Sequence, residues 1–132
     1  MSAGAVVQEA LLGSLRAALA GAINGVFEGP AVKASPPYVE LGEMLVSDWG
    51  TKDRAGRELR LVVTLRDRAE GSGRIQALAD LAEAAIAGLP LDLPGWRVAS
   101  VALIRTRILR TAPSAWGAAI EHRIRLLATG DE

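Results

Sequence analysis

The sequence predicts an α+β fold, a four-stranded antiparallel sheet with two helices on one face, in the order α-β-β-α-β-β. Three observations predict it. Leu59, Leu61, Val63 and Leu65 alternate with Glu58, Arg60, Val62, Thr64 and Arg66, the period of a strand with one dry face. Apolar residues from Val7 to Val26 recur at three- and four-residue steps, the period of a helix, and the helix-then-hairpin pattern occurs twice. With 132 residues, 50% of them hydrophobic, and no cysteine, the chain fits a single domain over 1–132 that needs no disulfide staple.

The first helix is expected over Ala3–Phe27, with Val7, Leu11, Leu15, Ala18, Leu19, Ala22, Ile23 and Val26 on its stripe. Gly13, Gly21 and Gly25 each weaken a helix interior by about 1 kcal/mol relative to alanine, so this helix depends on packing; Asn24 and Gly25 are candidates for its end. Gly29, Pro30, Ser35, Pro36 and Pro37 make 28–37 an irregular crossover. The first strand starts at Tyr38 and changes parity at Gly42 and Glu43, because Val39 and Leu41 share one parity and Met44 and Val46 the other. A β-bulge there returns the apolar residues to the core side. Residues 50–57 are too long for a two-residue turn and are expected to form an exposed, mobile loop before the second strand.

Ser72 is the expected N-cap of the second helix, whose stripe is Ile75, Leu78, Ala82, Ala85 and Ile86. Gly88, Leu89 and Pro90 supply its stop: a left-handed glycine, an apolar residue that folds back, and a proline. Leu91 to Gly95 reads as a linker. Trp96 opens a third strand with Val98, Ala102, Ile104, Thr106 and Ile108 on one face, and Arg97, Val101, Arg105 and Arg107 on the other. After a turn at 111–114, the last strand places Trp116, Ala118, Ile120, His122, Ile124, Leu126 and Ala128 inward and Glu121, Arg123 and Arg125 outward; 128–132 is expected to fray. The uncovered sheet face would then display Arg60, Arg66, Arg97, Arg105, Arg107, Arg123 and Arg125 against Glu58 and Glu121, with Val62, Val101 and Leu103 among them.

Composition excludes several chemistries. Without cysteine and with His122 as the single histidine, thiolate zinc and imidazole clusters are impossible within one chain; the expectation is no metal, no cofactor and no catalytic residue. No nucleophile motif, phosphate loop or dinucleotide fingerprint is present, and the GSG at 71–73 lacks a following lysine and reads as an ordinary loop. His122 lies between Ile120 and Ile124 on an apolar face and reads as a core histidine with one hydrogen-bond partner. Glu40, Glu43, Asp48 and Asp53 are scattered enough to be solvated charges or intersubunit partners. Trp49, Trp96 and Trp116 each lie near a strand end, as core caps or as interface anchors.

Net charge is zero, but residues 1–53 carry six acids against three bases, and residues 96–125 carry six arginines against Glu121. Two readings stand open: copies packing head to tail, or neutralisation inside the chain. A cationic sheet face could approach nucleic acid, yet it lacks aromatic stacking residues and the chain lacks net positive charge. The apolar N-terminal stretch is interrupted by Gln8, Glu9, Ser14 and Arg16, so no membrane span or signal peptide is expected and the mature chain is taken to begin near Met1.

At PYVELGEMLVSDWGTKD, Pro37 to Asp53, the chain resembles the tail terminator, or tail completion, family of long-tailed phages and gene transfer agents. The alanine-rich first helix, the proline-marked crossover, ELRL at 58–61, the helix opening RIQALADL at 74–81 and two closing strands extend the likeness over the whole chain. The resemblance implies a non-enzymatic virion protein, assembled in the bacterial cytoplasm. It would form a ring, usually hexameric, that caps the tail tube and meets the head connector or stopper, with DNA passing through unread. It also places Trp49, Thr51, Lys52 and Asp53 at a hairpin tip facing a neighbour, with Asp48 beside them at the end of the first strand. With Arg60, Arg66, Arg105, Arg107, Arg123 and Arg125 these form the candidate interface. Another neck component such as a stopper, or a small arginine-rich nucleic-acid-binding module, are the competing expectations.

Overall fold

A computed structural model describes residues 1–130, so Asp131 and Glu132 at the expected fray lie outside it. The first helix, α1 (Ala3–Ala18), is shorter than its periodicity predicts. Ser2 caps it, accepting the Ala5 amide at 3.1 Å, and Val7, Leu11, Leu15 and Leu19 are fully buried along one stripe. Gly21 then turns the chain at φ +79, a conformation that favours glycine. The Asn24 amide donates to the Pro37 carbonyl at 2.8 Å and the Val39 amide to the Gly25 carbonyl at 3.0 Å. Thus Val26–Glu28 becomes a strand, β1, lying parallel to β2 (Tyr38–Asp48). The apolar residues at the end of the helical stripe belong to this strand because β2 offers their backbone a ladder partner.

Among the described residues six strands, not four, form one sheet in the order β1-β2-β3-β6-β5-β4. Besides β1 and β2 these are β3 (Gly56–Arg68), β4 (Asp92–Leu93), β5 (Trp96–Ala112) and β6 (Ala115–Ala128). The four long strands are mutually antiparallel as expected, and the two additions are short edge pieces. Each helix is followed by one such piece and then by a hairpin, so the predicted duplication is fuller than the sequence suggests: α1-β1-β2-β3, then α2 (Gly73–Ala87), β4, β5 and β6. The two hairpins meet at the centre, where β3 and β6 pair without interruption from Gly56↔Leu127 to Arg68↔Ala115.

Both helices lie on one face, packed on each other and on a core that includes Val39, Leu41, Leu59, Val63, Leu65, Ile120, Ile124 and Leu126. The predicted bulge is present between Leu41 and Met44, and it brings Met44 to the helix side, opposite Leu61. In α2, Ile75, Leu78, Ala82 and Ile86 are buried. Two details of its ends differ from expectation. Ser72 makes no side-chain cap bond and instead accepts from Gln76 Nε2 at 2.9 Å, while Gly88 stays at φ −95 and only Leu89 folds back, 4% exposed.

The larger correction concerns β5. Its register shifts between Val98 and Ser100 and again between Leu103 and Arg105. Each shift inserts one extra residue and inverts the facing of those that follow. Val101 and Leu103 therefore sit opposite Ile124 and His122 on the helix side, and Ala102 sits opposite Arg123 on the other.

Candidate subunit and partner interface

The β2–β3 loop is exposed and closed by its own threonine. Thr51 Oγ1 accepts the Asp53 and Arg54 amides at 3.3 and 3.1 Å, and the Thr51 amide donates to the Arg54 carbonyl at 2.8 Å. At the base, the Trp49 amide donates to Gly56 and the Ala128 amide to Ala55, anchoring the loop to both neighbouring strands. Gly56 is required there, since a Cβ would lie 2.8 Å from the Trp49 carbonyl oxygen. Asp48 accepts from Arg57 Nη1 at 3.3 Å and from the Gly50 amide at 3.2 Å. Lys52 and Asp53 stand exposed, and the loop's hydrogen bonds leave both side chains pointing to solvent without a carboxylate or cationic partner among the described residues.

The face away from the helices is less cationic than its arginines suggest. Arg125 Nε donates to Glu58 at 2.8 Å, Arg105 and Arg60 share Glu121 at 2.9 and 3.6 Å, Arg66 holds Glu40 at 2.8 Å, and Arg97 holds Asp92. The Arg125 contact also keeps the Glu58 carboxyl below its ordinary pKa. Arg107 and Arg123 have no carboxylate partner among the described residues, and the Nε of Arg123 and Arg60 is buried without a hydrogen bond. Glu40, which the sequence leaves as a free charge, therefore belongs to this face; it also accepts the Ala31 amide at 2.6 Å. Arg125 joins the two predicted regions, its guanidinium standing 5.2 Å from the centre of the Trp49 ring.

The remaining candidates are structural. Trp96 and Trp116 pack against the core, and Arg110 stacks over Trp116 at 5.0 Å. His122 is 1% exposed as expected, but its Nδ1 has no hydrogen-bond partner. Burial pushes its pKa down, against a weaker pull from Glu83. Among the described residues no group of acids and histidine could hold a metal ion. Sequence reasoning missed Asp67, a carboxylate 3% exposed and held by Arg74 at 2.6 and 2.9 Å. A signal was available, because Asp67 continues the inward parity of Leu59 to Leu65. Arg74 holds the Asp67 carboxyl below the usual aspartate range, and the pair ties the end of β3 to the start of α2.

A sheet face on which five of seven arginines are paired within the chain, and a loop closed by its own hydrogen bonds, fit contact with other proteins better than chemistry. A family model described as "Tail completion protein gp17" matches residues 6–126. The chain belongs to this family. Its place is accordingly the tail of a virion or phage-like particle. The fold is similar to that of a solved chain from "Virion of native gene transfer agent (GTA) particle", with a TM-score of 0.79 and 22% identity over 96% of this chain and 98% of that one. No curated protein matches the sequence. No helix among the described residues is long and apolar enough to cross a membrane.

Proposed function

We propose that this tail completion protein forms a closed ring, hexameric in the family's usual manner, that ends tail-tube polymerisation and joins the tube to the connector or stopper of the head. The particle is a phage or a gene transfer agent. The observation that carries this reading is the family match from residue 6 to residue 126. Such a role needs no bond chemistry. It needs side-to-side contacts that use different patches on each copy, so that the ring closes, and two unlike ends, one of which matches tube protein. The Thr51-closed loop, with Lys52 and Asp53 at its tip, is the part of each copy offered to a partner above or below the ring.

Mass measurement of the purified protein, alone and with tube protein, tests the proposal. A closed oligomer that caps tubes and blocks their growth is expected; a persistent monomer that leaves tube length unchanged would remove it. Replacing Lys52 and Asp53 with alanine should leave the ring intact and impair joining. Unchanged joining would take the loop out of the partner contact. Internal pairing of Arg60, Arg66, Arg97, Arg105 and Arg125 argues against a nucleic-acid-binding module, whose cations would be free for phosphates.

A further inference from the structure

We propose that copies of this chain join by strand addition, the open edge of β2 (42–48) in one copy pairing antiparallel with the open edge of β5 (99–112) in the next. The proposal rests on the ring reading and names its contact. Among the described residues β1 covers β2 only at Val39, Glu40 and Leu41, and β4 covers β5 only at Trp96 and Arg97, so most of each edge has no partner strand there. Exposed edges usually carry protection against further pairing. These two carry bulges and charges of that kind, yet they also expose large apolar side chains: Leu45 and Val46 on one, Leu103 and Leu109 on the other, at 57%, 49%, 49% and 44%. They make up four of the eight such residues among those described, the others being Met1, Val32, Leu81 and Leu91.

The two edges match in facing and in charge. Leu45 and Leu109 lie on the arginine face, opposite Arg60 and Gly117, whereas Val46 and Leu103 lie on the helix face, opposite Leu59 and His122. A strand added at either edge would thus bury apolar surface on both faces. Residues 42–48 include Glu43 and Asp48 and no cation; residues 99–112 include Arg105, Arg107 and Arg110 and no carboxylate. Pairing β2 with β5 joins opposite charges, while pairing either edge with its own copy would oppose like charges. Beyond the end of β1, a hollow of about 590 Å³ between α1 and β2, lined by Gly4, Ala5, Leu12 and Met44, leaves room beside this edge. Direction follows from topology. β2 and β5 run oppositely within one sheet, and rotation about an axis along the strands preserves their directions, so the contact is antiparallel and heterologous.

The absence of native cysteine makes cross-linking a clean test. Leu45→Cys is combined in turn with Arg105→Cys, Arg107→Cys and Leu109→Cys, all on the arginine face, and oxidised after native mass has been recorded. Within one chain β3 and β6 hold the two edges roughly 14 Å apart, at about 4.8 Å per strand, beyond the reach of a disulfide. At least one double variant should therefore give a ladder of covalent multimers on a non-reducing gel, ending at the ring. Leu45→Cys alone should give none. An oligomer of unchanged mass in which no double variant cross-links overturns the edge contact and leaves the ring reading standing, as would dimers from Leu45→Cys alone. A monomer at every concentration, with and without tube protein, removes both.

Discussion

β3 and β5 look alike in sequence and behave differently in the fold. β3 is paired on both sides, along its whole length with β6, and its alternation survives intact, with Leu59, Leu61, Val63, Leu65 and Asp67 all buried. β5 has a full partner on one side only, shifts register three times, and buries only Val98. Alternation predicts facing where two neighbours lock the register and one face is sealed. On an edge, an extra residue costs a single ladder, so bulges accumulate and parity is lost.

The largest test of this contrast is Leu65→Ala in β3, fully buried, which should cost about 2–5 kcal/mol in urea unfolding. Gly56→Ala at the start of the same strand should cost about 1–3 kcal/mol, because its Cβ meets the Trp49 backbone, whose hydrogen bond holds the loop. Acid stability should separate two inward groups. The depressed pKa of Asp67 gives stability that is full above about pH 3.9 and lost as pH falls through its lower folded value. Asp67→Asn should flatten that limb. His122 is held neutral by burial, so the unfolded chain takes up its proton first, and stability should decline as pH drops below about 6.5; His122→Leu should remove that slope between pH 5 and 7. Smallest of all is Leu109→Ser on β5, expected within about 0.5 kcal/mol for the monomer. A large loss for the isolated chain would show β5 to be as constrained as β3.

The same contrast governs how much of the candidate interface could be read in advance. The loop's exposure and the arginines at 60, 66, 123 and 125 were legible, since β3 and β6 keep their parity, whereas Arg105 and Arg107 face as expected only because the two earlier shifts in β5 cancel. Their partners were not. Glu40 reaches Arg66 across β2 and β3, and Asp92 reaches Arg97 only once β4 pairs with β5. The first depends on the register of the predicted hairpin and the second on a strand, β4, that no local pattern marks. Asp67 was visible as a polar residue at a core parity, but Arg74 as its partner requires the start of α2 to lie beside the end of β3.

By itself the sequence determined the dry sides of α1, α2, β3 and β6 and the bulge at Gly42, because hydrophobic period and parity are properties of neighbouring residues. The family likeness from Pro37 to Asp53 was equally local. Tertiary structure alone decided that Val26–Glu28 leaves the helix for a parallel strand, that β5 turns Val101 and Leu103 toward α2, and that five arginines pair with four carboxylates within the chain. In each case the deciding energy is a hydrogen-bond ladder or ion pair with another strand, from five residues away at Asp92–Arg97 to 67 away at Glu58–Arg125. A backbone that satisfies two local patterns equally well adopts the one for which such a partner is at hand.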